Sequence, residues 1–167
     1  GHYVGFNLTR DGTAAARITF QGLPGAVIDR PNAHTGRDGI NLEGADYVTI
    51  DGFKIVDQPR AGVRSVTNQF VTITNNVADN NGSWGVFTGF SADVRIENNV
   101  TTRSKTQHGI YVSNSAARPI IVGNTAWGNV NGGIQINADG TQGGDGIVTG
   151  AVIANNLLYS NGALGGA

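Results

Sequence analysis

A short phrase, a glycine followed by an aliphatic residue, returns along this chain at nearly constant intervals. Its copies are Gly39-Ile40, Gly62-Val63, Gly85-Val86, Gly109-Ile110 and Gly133-Ile134, at steps of 23, 23, 24 and 24 residues. Such a repeat is too short for a propeller blade of about 40 residues, and it lacks the apolar period of a helix. The interval therefore predicts a solenoid whose coils consist of short strands and turns.

A second phrase follows each copy and alternates apolar with polar residues, as a strand with one buried face does. Its copies are Val48-Thr49-Ile50-Asp51-Gly52, Val71-Thr72-Ile73-Thr74-Asn75, Val94-Arg95-Ile96-Glu97-Asn98, Ile120-Ile121-Val122-Gly123-Asn124 and Ala151-Val152-Ile153-Ala154-Asn155. Stacking them predicts an apolar column of Ile50, Ile73, Ile96, Val122 and Ile153. It also predicts an asparagine ladder of Asn75, Asn98, Asn124 and Asn155, hydrogen-bonded along the axis.

Composition narrows the classes of partner. The 167 residues carry a net charge of −1, and only 14% are charged, which argues against a nucleic-acid-binding surface. No apolar run approaches the roughly 20 residues that span a bilayer, so no membrane partner is predicted. We expect a secreted or periplasmic protein with bacterial-type export. The absence of cysteine is compatible with export and equally with a reducing compartment.

Three phrases carry a resemblance to a known family: Asp38-Gly-Ile-Asn-Leu42, Tyr47-Val-Thr-Ile-Asp-Gly-Phe53 and His108-Gly-Ile-Tyr-Val-Ser113. They resemble the pectin-lyase-like superfamily, and within it the proteins with NosD-like and alginate-epimerase-like repeats. The resemblance covers about residues 3–162. It implies an all-β, right-handed parallel β-helix, here of about six to seven coils with about 23 residues each.

We interpret residues 1–167 as a single β-helix domain and expect it to be part of a longer protein. Most relatives have a helix that caps the N-terminal end, whereas this chain starts inside a coil at Tyr3-Val4-Gly5-Phe6. An open solenoid end is an unpaired sheet edge. A missing capping segment or end-to-end packing is therefore expected.

The resemblance also implies a polysaccharide-binding groove along the outer face of one parallel sheet. Side chains alternate along a strand, so the residue after each repeated aliphatic points outward. These outward residues form the column Asn41, Arg64, Phe87, Tyr111 and Gln135. Aromatic rings can stack on sugars, and arginine can hold a carboxylate. The residues expected to contact substrate are Arg60, Trp84, Phe87, Gln135, Asn137, Asn41, Asp38 and Glu43.

Within that groove, the resemblance implies lyase or epimerase chemistry on a uronate-containing polysaccharide. Such chemistry needs a group that neutralises the carboxylate, a base that removes the C5 proton and an acid. Arg64 is the candidate for neutralisation, with Arg60 as the alternative. His108 and Tyr111 are the candidate base and acid, because they lie three residues apart on one strand. These assignments are hypotheses.

Two other functions stay open beside the enzyme. A non-catalytic carbohydrate-binding or adhesive β-helix needs only a row of exposed aromatic side chains. A scaffold, or a fragment that acts only with a missing remainder, predicts that those side chains are covered. The three differ in whether His108, Tyr111 and an arginine converge.

No certain cofactor is predicted for these functions. Calcium stays open as the cofactor of a lyase. Calcium takes six to eight oxygen ligands. The acidic residues available are Asp38 and Glu43 on the groove face, and Asp139 and Asp145 in a longer loop between Asn137 and Gly150. Four carboxylates are few for a site made only of protein groups, so no residue is predicted as a metal ligand.

Overall fold

The computed structural model describes residues 1–162, and within them every regular element except one is a β-strand. The exception is a short 3₁₀ helix at Gly140–Gln142. The strands, in chain order, are β1 (His2–Val4), β2 (Phe6–Leu8), β3 (Ile18–Gln21), β4 (Val27–Arg30), β5 (Ile40–Glu43), β6 (Val48–Asp51), β7 (Lys54–Val56), β8 (Ala61–Val66), β9 (Thr72–Thr74), β10 (Val77–Asp79), β11 (Trp84–Ala92), β12 (Arg95–Glu97), β13 (Val100–Thr102), β14 (Ile110–Ala117), β15 (Ile120–Val122), β16 (Thr125–Trp127), β17 (Ile134–Ala138), β18 (Val148–Thr149), β19 (Val152–Ala154) and β20 (Leu157–Tyr159).

The strands stack into three parallel sheets that run along one axis. Sheet A has the order β1-β4-β7-β10-β13-β16-β20, sheet B the order β2-β5-β8-β11-β14-β17 with β18 also on β14, and sheet C the order β3-β6-β9-β12-β15-β19. The chain makes about 6 turns of about 24 residues. The predicted all-β parallel solenoid is therefore confirmed. No helix in residues 1–162 is long and apolar enough to cross a bilayer.

Aliphatic columns fill the space between the three sheets. The predicted column from the glycine phrase is in register, and its members Ile40, Val63, Val86 and Ile110 have no exposed surface. Each of these residues is covered by the coil before it and the coil after it. Burial of one such side chain is worth about 1.5–3 kcal/mol, so the stack is held together mainly by this apolar interior.

The predicted asparagine ladder exists, but one residue further along the chain. Asn75, Asn98 and Asn155 have positive φ, of 55°, and are exposed, because they form the left-handed turn at this corner. The residue after each of them points inward. The ladder residues are Asn76, Asn99, Asn124 and Asn156, of which only Asn124 was predicted.

Each ladder amide satisfies backbone groups that the corner would otherwise bury unpaired. The Oδ1 atom of Asn99 accepts from the backbone N–H of Asn76 at 2.9 Å and from its side-chain amide at 3.0 Å. The Nδ2 atom of Asn99 donates to the carbonyl of Ile73 at 2.8 Å. Asn129 does the same at the corner between sheets A and B, where its Oδ1 atom accepts from the N–H of Ser104.

One coil is longer by an extra residue in β14, and the predicted column slipped by one more because Gly123, with φ 66°, holds the turn position before Asn124. Gly89 pairs with Ser113, 24 residues later, whereas Ser91 pairs with Ala116, 25 residues later. The additional residue lies at Asn114, which has φ 69°, in a bulge. Beyond it, Ile121 and not Val122 is paired with Ile96. Val122 was therefore wrongly placed in the apolar column; it pairs with Glu97 and points outward.

Candidate functional site

The outer face of sheet B carries the side chains that the sequence placed in one column. Asn41, Arg64, Phe87, Tyr111 and Gln135 are register partners on consecutive strands. The next outward positions are also in register: Glu43, Val66, Gly89, Ser113 and Asn137. Five coils thus present a continuous surface on which residues about 23 positions apart in the chain are neighbours.

Three aromatic side chains, the aromatic cluster of Trp84, Phe87 and Tyr111, lie at the centre of this face. The ring centroids of Trp84 and Phe87 are 4.6 Å apart, and those of Trp84 and Tyr111 are 5.9 Å apart with nearly parallel planes. All three are half-buried. The contacts between the rings fix their positions. Because each ring is only half-buried, part of its face is available to a ligand.

His108 adjoins the cluster but is itself buried. Its ring centroid is 5.3 Å from that of Tyr111, and its Nε2 atom is 3.3 Å from Nδ2 of Asn131. Its Nδ1 atom makes no hydrogen bond within residues 1–162. Gly132 lies against that atom, and a Cβ there would be 3.0 Å away. Burial lowers the pKa of His108 below the ordinary imidazole value, so the ring is neutral at neutral pH.

At the margin of the face, Asp38 and Arg60 form a buried ion pair. The Nε and Nη2 atoms of Arg60 donate to the two carboxylate oxygens of Asp38 at 2.8 and 2.5 Å. Asp38 also accepts from the N–H of Ala61 and has no exposed surface. A carboxylate without exposed surface cannot touch a ligand, so the expected substrate contact at Asp38 is replaced by a structural role. The hydrogen bonds between Arg60 and Asp38 raise the pKa of the Arg60 guanidinium.

Arg64 is also paired, and this separates it from the candidate acid and base. Its Nη1 atom donates to Oδ1 of Asn41 at 2.8 Å and to Oε2 of Glu43 at 3.0 Å. Asn41 is fully buried, so it too orients Arg64 and does not reach a ligand. Phe87 stands between Arg64 and Tyr111, which are two strands and hence about 10 Å apart. The structure does not bring the three predicted catalytic residues together.

Beyond the cluster, the face is lined by amide side chains. Gln135 and Asn137 are half-buried on β17. A cavity of about 410 Å³ extends from His108 past Asn131 and Gln135 to Tyr159. The sequence reasoning missed Asn131 and Tyr159. The one available signal was that Asn131 lies about one repeat, 23 residues, after His108.

The acidic residues considered for calcium are dispersed. Within residues 1–162, no group of three or more His, Cys, Asp or Glu side chains is arranged to hold a metal ion. Asp139 caps the 3₁₀ helix by accepting from Thr141, which lowers the pKa of Asp139. A hydrogen bond from the N–H of Ile147 likewise lowers the pKa of Asp145. Asp145 lines a separate cavity of about 550 Å³ near Phe90.

The family model described as "Periplasmic copper-binding protein (NosD)" matches residues 5–166, almost the whole chain. The chain belongs to the NosD family. Among curated protein sequences, none matches this NosD-family chain.

Two solved structures share the fold of this NosD-family chain. The crystal structure of an alginate lyase from Paenibacillus sp. str. FPU-7 matches 93% of the chain with a TM-score of 0.75 and 24% sequence identity. The crystal structure of pectate lyase Pel9A matches 81% of it with a TM-score of 0.69 and 17% identity. The matched regions cover only 55% and 40% of those proteins. At these identities the likeness concerns the fold.

Proposed function

We propose that this chain binds a polysaccharide along the outer face of sheet B, with the aromatic cluster as the centre of the binding surface. The observation that carries the proposal is the contact between three half-exposed aromatic rings, with Phe87 and Tyr111 on outward positions and Trp84 at the start of β11. Outward positions need no aromatic residue for coil stacking. Half-exposed rings beside amide side chains are the combination that recognises sugar, which has apolar ring faces and polar edges.

The dimensions of the surface suit a sugar chain. Parallel strands are about 4.8 Å apart, so the column from Arg64 to Tyr111 spans about 10 Å, close to two sugar rings. Gln135 extends it by one more coil. The two structural neighbours are described as lyases of pectate and alginate, which supports a polysaccharide as partner.

The test is retardation in native gels that contain polysaccharide, with Trp84→Ala compared with Phe70→Ala. Phe70 is the control: its partly exposed ring stacks on Tyr47 at 4.7 Å, but it lies just before β9 of sheet C. We expect Trp84→Ala to weaken binding about tenfold, or about 1.4 kcal/mol. Phe70→Ala should bind like the wild type. Equal binding by wild type and Trp84→Ala would refute the proposal.

A second candidate is a uronate lyase or C5-epimerase, and the contact between His108 and Tyr111 favours it. A neutral imidazole can accept a proton, and a phenol can donate one. The base would be the Nε2 atom of His108, which lies 3.3 Å from Nδ2 of Asn131 and can accept a proton once a substrate displaces that amide. Against this candidate, Arg64 lies two strands from Tyr111 and is already paired with Glu43.

The enzyme candidate predicts that alginate or pectate incubated with the protein gains ultraviolet absorbance from unsaturated uronates. An epimerase would instead change the proton NMR spectrum of the uronate. Either change should disappear in His108→Ala and in Tyr111→Phe. Turnover that survives both substitutions would exclude these two residues as base and acid.

The family description names copper, but the residues of this chain do not fit that metal. Copper(I) prefers Cys and Met ligands, and copper(II) prefers imidazole. The chain has no Cys or Met and only three His. No cluster of three potential ligand side chains occurs in residues 1–162. The proposed function therefore involves no copper.

The family description also names the periplasm, which supports export of this chain. We propose that it acts outside the cytoplasm, where polysaccharides are available. Fractionation of the native bacterium should place the protein in the periplasm or the medium. Recovery from the cytoplasm alone would contradict this location.

A further inference from the structure

We propose that the outer face of sheet B selects neutral sugar chains over uronate chains, and that Glu43 sets this preference. The inference rests on the proposed function and assigns a substrate class to the same surface. It follows from which charges on this face are covered and which are exposed.

The two arginines of the face are covered and already paired. Arg60 is held at both carboxylate oxygens of Asp38, and 21% of its side chain is exposed. Arg64 is held by Asn41 and Glu43, and 17% of its side chain is exposed. A uronate carboxylate can be bound bidentately only by a guanidinium whose donors it can reach. The Nε–Nη2 edge of Arg60 is occupied by Asp38. Arg64 donates from Nη1 to Asn41 and Glu43, and most of its side chain is covered.

The exposed member of the Arg64 pair is the carboxylate. Glu43 has 49% of its side chain exposed, nearly three times the value for Arg64. A uronate laid along the column of Arg64, Phe87 and Tyr111 would bring its carboxylate towards a like charge. Like charges brought together across an interface oppose binding.

The other half of the face is uncharged. His108 is neutral because burial lowers its pKa, and Gln135, Asn137 and Asn131 provide amide donors and acceptors. Amides and hydroxyls pair with sugar hydroxyls without a charge on either side. Together with the aromatic cluster, these groups suit a neutral sugar.

Three further cations lie at the corner between sheets A and B, before β5 and β14. Lys105 is 3.8 Å from Asp57, Arg103 is paired with Asp79, and Arg37 is exposed. All three are turn residues outside the register columns of the face. If a uronate is bound through the exposed Arg37, the uronate form of a polymer will bind more tightly than its neutral form.

The test uses pairs of polymers that differ only in charge. Alginate, polygalacturonate and hyaluronan are each compared with their carboxyl-reduced, neutral forms by isothermal titration of the whole chain. The neutral form of at least one pair should bind about tenfold more tightly than its uronate parent. Tighter binding of the uronate forms would overturn the inference while leaving the proposed function intact. Binding of none of the six polymers would overturn the proposed function as well.

The variant Glu43→Gln identifies the residue responsible. It removes the exposed negative charge beside Arg64 with little change in side-chain shape, so the ratio of uronate affinity to neutral affinity should rise about tenfold. Glu97→Gln is the matched control, because Glu97 is paired with Arg95 on sheet C. Thermal unfolding verifies that both variants are folded. An unchanged uronate affinity in Glu43→Gln would remove Glu43 from the proposal.

Discussion

Sheets B and C are built from equally stacked parallel strands, yet their outer faces differ. The outward strand positions of sheet C hold threonines, the aliphatic residues Ile120 and Val122, and the ion pair of Arg95 and Glu97, and within residues 1–162 they include no aromatic ring. Sheet B presents the aromatic cluster and, at its margin, a fully buried carboxylate. Since sheet C stacks without outward aromatic rings, coil stacking does not require those on sheet B. The difference indicates which face is shaped for a ligand.

The ion pairs of the two faces provide the largest expected contrast. Asp38 has no exposed surface and accepts three hydrogen bonds, two of them from Arg60. Glu97 is partly exposed, with 20% of its side chain accessible. Asp38→Asn should lower the free energy of unfolding by about 3 kcal/mol, because it leaves a covered guanidinium without its counter-charge. Glu97→Gln should cost less than about 1 kcal/mol.

Urea denaturation of both variants measures this contrast. If both substitutions lower the free energy of unfolding equally, the ion pair of Asp38 and Arg60 stabilises the coil no more than a surface pair does. The two sheets would then not differ in the strength of their ion pairs.

A smaller effect is expected when sheet B is made to resemble sheet C. Phe87→Thr places a threonine opposite Arg64 and Tyr111 and removes ring contacts at 4.6 and 5.7 Å. We expect a loss of about 1–2 kcal/mol in unfolding free energy, with cooperative unfolding and β-sheet circular dichroism retained. Polysaccharide retention should fall.

Thr72→Ala on sheet C is the comparison variant, and it should change neither property appreciably. A Phe87→Thr protein that fails to fold would mean that the aromatic cluster is required for the coil. The functional interpretation of the face would then lose its main support.

The smallest expected effect is a pH dependence in the imidazole range, where the strands of sheet C in residues 1–162 carry no histidine. Because burial lowers the pKa of His108, the folded ring stays neutral while the unfolded chain takes up a proton near the ordinary imidazole pKa, about 6.5. The contribution of the neutral His108 ring to the free energy of unfolding is fully present above that pH. It declines as the pH falls towards the lowered pKa of the folded state.

The variant His108→Gln should lack this decline. Unfolding free energies of wild type and His108→Gln, measured by urea denaturation above and below pH 6.5 or so, give two curves. They should converge or cross as the pH falls. Parallel curves would show that His108 titrates alike in the folded and unfolded chains.

The repeat made most of the fold predictable. Spacing alone identified the parallel solenoid, the column of Ile40, Val63, Val86 and Ile110, and the alignment of Arg64, Phe87 and Tyr111. The ladder was misplaced because two asparagines often stand together at the corner. One is a turn residue and the other an inward ladder residue, and composition cannot tell them apart.

The charges of the site were less predictable than its register. Strand alternation tells which way a residue leaves the backbone, but not whether a long side chain folds back over a neighbour. Asp38 and Asn41 were expected to reach a ligand, and in the structure both are buried and hold an arginine. Glu43 is also paired with Arg64 but stays exposed. Such pairing depends on side-chain torsions across two coils, which the repeat does not encode.

The corner ladders also restrict how a chain of this kind can change in length. Each ladder amide serves the backbone of the coil before it, so deleting a few residues inside a coil would strand polar groups along the whole corner. Gains and losses should therefore occur as complete coils, or as segments directed outward between strands. Residues 139–147, which leave the stack after β17 and return at β18, are an insertion of the second kind.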